Sequence, residues 1–132
     1  MNNMNTFLLF GRIILGGFFI YSGVNHFIKF GMMTQYAKMK GVPFPAVAQG
    51  VTGLMVLLGG LSIVFGIYPV AGIVLLVLFL VPVTFMMHNF WNLEDPQLRM
   101  TDKINFTKNL ALLGAILMLL AIPSPWPLSL VP

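Results

Sequence analysis

His88, Asn89, Trp91 and Asn92 close one strongly apolar run, and Asn105, Lys108 and Asn109 open the next across a short charged segment. An imidazole, several carboxamides and an ammonium at one depth provide hydrogen-bonding groups and a cation, and Trp91 and Phe106 provide faces for stacking. Such a set suits a planar headgroup with carbonyl oxygens. His88 would donate to one carbonyl, while Asn89 and Lys108 would hold the other and stabilise charge as it is reduced. A quinone fits this description, since its ring stacks and its isoprenoid tail can run out into lipid. The plainer reading is a self-satisfied polar cap in which Glu94 or Asp95 reaches Lys108 or Lys29, because unpaired polar groups in hydrocarbon cost several kcal/mol each.

A second polar set lies on the first apolar run. Ser22, Asn25, His26 and Lys29 recur at i, i+3, i+4 and i+7 and so share one helix face. Asn25 and His26 therefore join the candidate ligand-binding group. Two histidines on different helices raise a bis-imidazole haem, but His26 stands too near Lys29 to be well buried, and haem is disfavoured. The chain has no cysteine, which removes thiol relays, zinc-thiolate sites and iron–sulfur ligation by this chain alone. No metal site is expected, and any redox chemistry would come from a bound cofactor or a partner. A transport pathway usually places ionisable residues near the bilayer midplane, and none is read there in the second, third or fourth runs.

The elements that must position these residues follow from composition. Of 132 residues 58% are hydrophobic and only 8% charged, far below the quarter or so that keeps a soluble domain in water. The chain belongs in lipid. Four runs, at about 7–27, 47–66, 70–91 and 104–122, are each long enough to cross, since about 20 helical residues at 1.5 Å cover roughly 30 Å. Joined by short loops they make a single all-α domain, an integral membrane four-helix up-down bundle whose sites are built from inward-facing side chains. The N-terminal run lacks a basic leader and runs past signal length, so it reads as a retained anchor.

Local features sharpen this picture. Gly16, Gly23, Gly53, Gly59 and Gly60 read as packing surface that lets helices approach closely, and Ala111, Gly114 and Ala115 as a similar strip on the last helix. Residues 29–45, with Lys29, Lys38 and Lys40 and ending in Pro43 and Pro45, form either a short interfacial helix or an irregular loop. Pro82 must bend the third helix or free the carbonyl near Leu78, and beyond it Thr84, His88 and Asn92 fall at i, i+4, i+8. The segment from Asn92 to Lys103 reads as a solvated loop, and Trp126 suits the headgroup level. Arg12 is a structural charge inside the first helix, either snorkelling to the interface or pairing with the second-to-third turn or the C-terminal tail. Lys29, Lys38, Lys40, Arg99, Lys103 and Lys108 share one side and Arg12 the other, which places both long loops in the cytoplasm and both termini outside. The net charge of +4 therefore speaks to orientation and not to nucleic acid.

At these residues the chain resembles the DoxX family of small four-helix bacterial membrane proteins. Arg12 is followed by an apolar run into Ser22 and Gly23, a GVPFP stretch opens the glycine-rich second helix, and the closest matches are HNFW at His88–Trp91 and KNLALLG at Lys108–Gly114. The likeness covers nearly the whole chain. Where the family commonly has a lysine shortly after the Ser-Gly pair, this chain has His26, with Lys29 a turn later. The resemblance implies a bacterial inner-membrane protein, some relatives of which are linked to quinone-dependent thiosulfate oxidation or membrane oxidoreductase complexes; more distant relatives include receptor assembly chaperones. The leading expectation is a membrane subunit of a quinone-linked oxidoreductase that docks a cytoplasmic partner through its basic first loop. The alternative is a non-catalytic assembly or stability factor.

Overall fold

A computed structural model describes residues 2–131, and among them the regular structure is entirely helical. Five α-helices follow in order: α1 (Asn3–Ile28), α2 (Phe30–Met39), α3 (Pro45–Phe65), α4 (Pro69–Met87) and α5 (Pro96–Met118). The starts are written locally. Pro45, Pro69 and Pro96 each stand in the first turn, where a missing N–H costs nothing and the fixed φ is already helical. Asn2 and Asp95 add side-chain caps, accepting from Asn5 N and from Gln97 N and Leu98 N respectively. Four helices, α1, α3, α4 and α5, are long and apolar enough to cross a membrane. The chain is an integral membrane protein, and α2 supplies the short helix of the first loop.

Antiparallel order is visible in the contacts. Going down α1 from Gly16 to Gly23, the facing residues climb α3 from Gly60 to Leu57. Added β-carbons show how close these backbones are: one at Gly60 would lie 2.8 Å from the Gly16 carbonyl oxygen, and one at Gly23 would lie 2.8 Å from Leu57 N. The small residues expected as packing surface are that surface. Gly59 meets Leu76 and Gly72 on α4 in the same way. Buried Phe19, Val56, Ile63, Leu76, Leu80 and Ile116 complete the core.

Helix α5 packs on α4, but α1 and α5 do not pack closely on each other. The bundle is thus open on one side. Gly114 has nothing within 4 Å of where a β-carbon would sit, and Ala111 is exposed. The expected packing strip on α5 therefore has no helix against it, because its glycine faces away from α4.

Other expectations shift where capping overrides hydropathy. Helix α4 remains one helix through Pro82 and stops at Met87, so Asn92 falls in a 3-10 turn (Phe90–Asn92) and not on the Thr84–His88 face. Helix α5 starts at Pro96, eight residues before the apolar run, because Asp95 caps it; residues 96–103 of the expected solvated loop are its first two turns. Trp126 is buried, since the C-terminal tail folds back under the α3–α4 turn. There Arg12, 1% exposed, donates to the carbonyls of Ile63 (3.0 Å), Val64 (3.0 Å) and Pro127 (2.6 Å) and lies over the Trp126 ring. It pairs with turn and tail and does not snorkel. Gly66, at φ +69°, closes α3 beside the guanidinium with no room for a side chain.

Candidate functional site

A cavity of about 740 Å³ occupies the space where α1 and α5 stand apart. Phe18, Phe19, Ser22 and His26 of α1 form one wall, and Asn105, Lys108, Asn109 and Leu112 of α5 the other. Gln49 and Thr52 of α3 and Phe79, Val83 and Met86 of α4 lie at its back, while Met32, Met33 and Tyr36 of α2 roof it at the end where His88 sits. Most of the lining is apolar, with polar side chains of α1, α3 and α5 and His88 set among it. That combination characterises small-molecule sites.

Beside the His88 end is a charged cluster. Asp102, 3% exposed, receives Lys40 Nζ on Oδ2 at 2.7 Å, and His88 Nδ1 and the Tyr36 hydroxyl on Oδ1 at 3.2 and 3.4 Å. Lys40 also donates to Asn89 Oδ1 at 3.0 Å. Three segments are joined here: α2 through Tyr36 and Lys40, the end of α4 through His88 and Asn89, and α5 through Asp102. Burial and the neighbouring Asp102 carboxylate raise the Tyr36 phenol above its ordinary value, so it remains a donor.

The imidazoles are fixed by their Nδ1 partners. His26 Nδ1 lies 2.8 Å from the Ser22 carbonyl oxygen. A carbonyl only accepts, so this nitrogen carries the proton and Nε2 is left as the ring's other site. The His26 backbone is held in turn by Gln49 Nε2, which donates to its carbonyl at 3.2 Å. His88 directs Nδ1 at Asp102.

The candidate residues separate into two groups. His26, His88, Asn105, Lys108 and Asn109 line the one cavity. Asn25, Asn89 and Trp91 do not. Asn89 accepts from Lys40, and Trp91 joins an aromatic cluster, edge-to-face with Phe90 and Phe106 and tilted to Phe85. The stacking faces that line the cavity are Phe18 and Phe79, the latter edge-on to His26. Lys108 lies deeper than expected, roughly 18 Å along α5 from Pro96; its Nζ stands 5.7 Å from the Phe18 ring centroid and 3.4 Å from Asn105 Oδ1. Neither Glu94 nor Asp95 forms an ion pair among the described residues; Asp102 does so.

Asp102, Lys40, Tyr36 and Gln49 were not picked out from the sequence. One signal could have found Asp102. With Asp95-Pro96 read as a capped helix start, Asp102, Asn105 and Asn109 fall at i, i+3, i+7 on one face.

A family model, DoxX, matches residues 7–89, from α1 to just past the end of α4. The chain belongs to the DoxX family. Inner membrane protein YphA of Escherichia coli K12 is 30% identical over 123 residues, covering 93% of this chain and 86% of YphA. Peptidoglycan glycosyltransferase MrdB of the same organism is 37% identical over 59 residues, which is 45% of this chain and 16% of that enzyme. No solved structure matches. The DoxX match ends before α5, so Asp102, Asn105, Lys108 and Asn109 lie beyond it.

Proposed function

We propose that this DoxX protein binds the headgroup of an isoprenoid quinone in the cavity between α1 and α5, as a subunit or accessory of a quinone-linked membrane oxidoreductase. The observation that carries this reading is a cavity of about 740 Å³, mostly apolar with a few polar side chains and the Lys108 cation among its lining, on the side of the bundle that α1 and α5 leave open. A ring enters between Phe18 and Phe79, its oxygens meet the Lys108 ammonium beside the imidazoles, and an isoprenoid tail leaves through the gap into the acyl chains. The relative YphA is named an inner membrane protein, and the bacterial inner membrane is where such a quinone is found. The excess of cations at the His88 end orients that end to the cytoplasm with both termini outside. Exposed Lys29, Lys38, Arg99 and Lys103 there present a basic surface to a cytoplasmic oxidoreductase partner.

The test is to extract the protein with its native lipid and identify what accompanies it by mass spectrometry. One quinone per chain, lost in His88→Ala, is expected. Its consistent absence would overturn the reading. The alternative, a non-catalytic assembly factor, is favoured by one observation: Asp102 is fully served by Lys40, His88 and Tyr36, as a cluster that only fixes helix register would be.

A further inference from the structure

The hydrogen-bonding sense of the cavity distinguishes the two redox forms of a quinone. His26 Nδ1 is bound to the Ser22 carbonyl at 2.8 Å, so in the neutral ring Nε2 is a bare acceptor. His88 Nδ1 is bound to Asp102 Oδ1 at 3.2 Å, which leaves its Nε2 in the same condition. Asp102 is already balanced by Lys40 at 2.7 Å. A further proton on His88 would leave this cluster net positive, with Lys108 on the same cavity. Gln49 spends its amide N–H groups on the His26 carbonyl and Met33 sulfur, so what it can still offer a ligand is its oxygen. The imidazoles of α1 and α4, the Gln49 oxygen and the Thr52 hydroxyl, whose proton goes to the Ala48 carbonyl, therefore accept; the Ser22 hydroxyl can do either, and Lys108 and Asn109 of α5 donate. A quinone has only acceptor oxygens. It can satisfy the α5 wall but leaves two imidazole lone pairs unmet. A dihydroxy ring can donate one O–H to each imidazole, and one of its oxygens can also accept from Lys108.

We propose that the cavity is built for the reduced, dihydroxy form of the quinone, held by O–H donation to the Nε2 atoms of His26 and His88. This rests on the quinone-binding reading and adds the redox form to it. One additional satisfied hydrogen bond in a poorly hydrated site corresponds to about a tenfold preference.

The experiment uses the intact protein in phosphatidylcholine nanodiscs, titrated under anaerobic conditions with a short-chain ubiquinone and, separately, with its quinol. The quinol should bind at least tenfold more tightly. In His26→Gln, where a carboxamide N–H can replace the lone pair, the preference should fall towards unity. Binding of both forms with the quinone equal or tighter overturns the proposal and leaves the quinone reading standing; binding of neither overturns both. Nitrogen-15 spectra of the ligand-free wild-type protein give a check independent of any variant. In the neutral ring each histidine should carry its proton on Nδ1, and an Nε2–H tautomer at either one overturns the proposal.

Discussion

Replacing Arg12 with methionine separates an interfacial anchor from a structural clamp. The guanidinium satisfies three carbonyls: Ile63 and Val64 at the end of α3, whose own helix leaves them unpaired, and Pro127 of the tail. Methionine keeps much of the bulk and removes all three bonds. Charge-assisted bonds in a protein interior are worth about 1.5–3 kcal/mol each, whereas polar contacts measured inside membrane proteins average nearer 0.6 kcal/mol. Three such bonds therefore imply a loss of roughly 2 kcal/mol at the lower value and about 5 kcal/mol or more at the upper. Losing the guanidinium over Trp126 adds to this. The assay is reversible unfolding in mixed micelles titrated with a denaturing detergent, with tail exposure followed through Trp126 after Trp91→Phe. Arg12→Lys is the decisive companion. A snorkelling anchor would be fully rescued by lysine, but a compact ammonium cannot span three carbonyls on two segments as the planar fork does. Less than about half of the loss should be recovered. Full rescue by lysine, or a loss in Arg12→Met below about 1 kcal/mol, would refute the clamp.

Three further outcomes are expected. Gly60→Ala would place its β-carbon 2.8 Å from the Gly16 carbonyl oxygen and Ile20 N, neither able to yield, and should cost about 2 kcal/mol or more; Gly114→Ala, with nothing within 4 Å, should be neutral or stabilise by about 0.5–1 kcal/mol, both read by thermal denaturation. A double-mutant cycle on Lys40→Ala and Asp102→Ala should give a coupling of about 0.5–3 kcal/mol, and either single change should speed amide exchange in α2 around Tyr36; additive losses would show that the 2.7 Å pair does not hold α2 down. Burial first, and then the Asp102 charge, raise the Tyr36 phenol, so the folded protein holds that proton more tightly than the unfolded chain; its contribution is present at neutral pH and is lost as alkaline pH rises through the folded-state value. Absorbance titration near 295 nm, wild type minus Tyr36→Phe, should show a phenol ionising later than free tyrosine.

The long helices were legible because lipid imposes length and apolarity on every crossing, whereas the start of α5 was not, since Asp95 and Pro96 fall in a charged stretch. The shared cavity of His26, His88, Asn105, Lys108 and Asn109 was legible for a related reason: polar side chains in apolar helices have few places to go. Asn25, Asn89 and Trp91 were grouped with them by depth, but depth does not fix direction around a helix axis or beyond its end. Asp102 was hidden because a charged stretch was read as solvated, although the Asp95 cap makes it helical and turns one carboxylate inward. Lys40 could not be chosen over Lys38. Both lie at the end of α2, and only the position of Asp102 on a distant helix decides between them.

The open side of the bundle follows from where close approach is used. Glycine contacts draw α1 onto α3 and α3 onto α4 until backbone meets backbone, and α5 has no such partner because its own glycine faces away. What α5 presents towards α1 is Lys108, whose ammonium rests over Phe18 with Asn105 as its side-chain hydrogen-bond partner. Closing α1 on α5 would bury that charge without a carboxylate, since Asp102 is already committed to Lys40 and His88. The gap spares this sequence that cost, and under the proposed reading a headgroup oxygen would stand where a paired side chain is otherwise needed. A purely structural bundle would be better served by an apolar residue at position 108. The placement of a lysine there, on the wall facing two imidazoles oriented through their Nδ1 atoms, is what favours a bound headgroup over a self-contained cap.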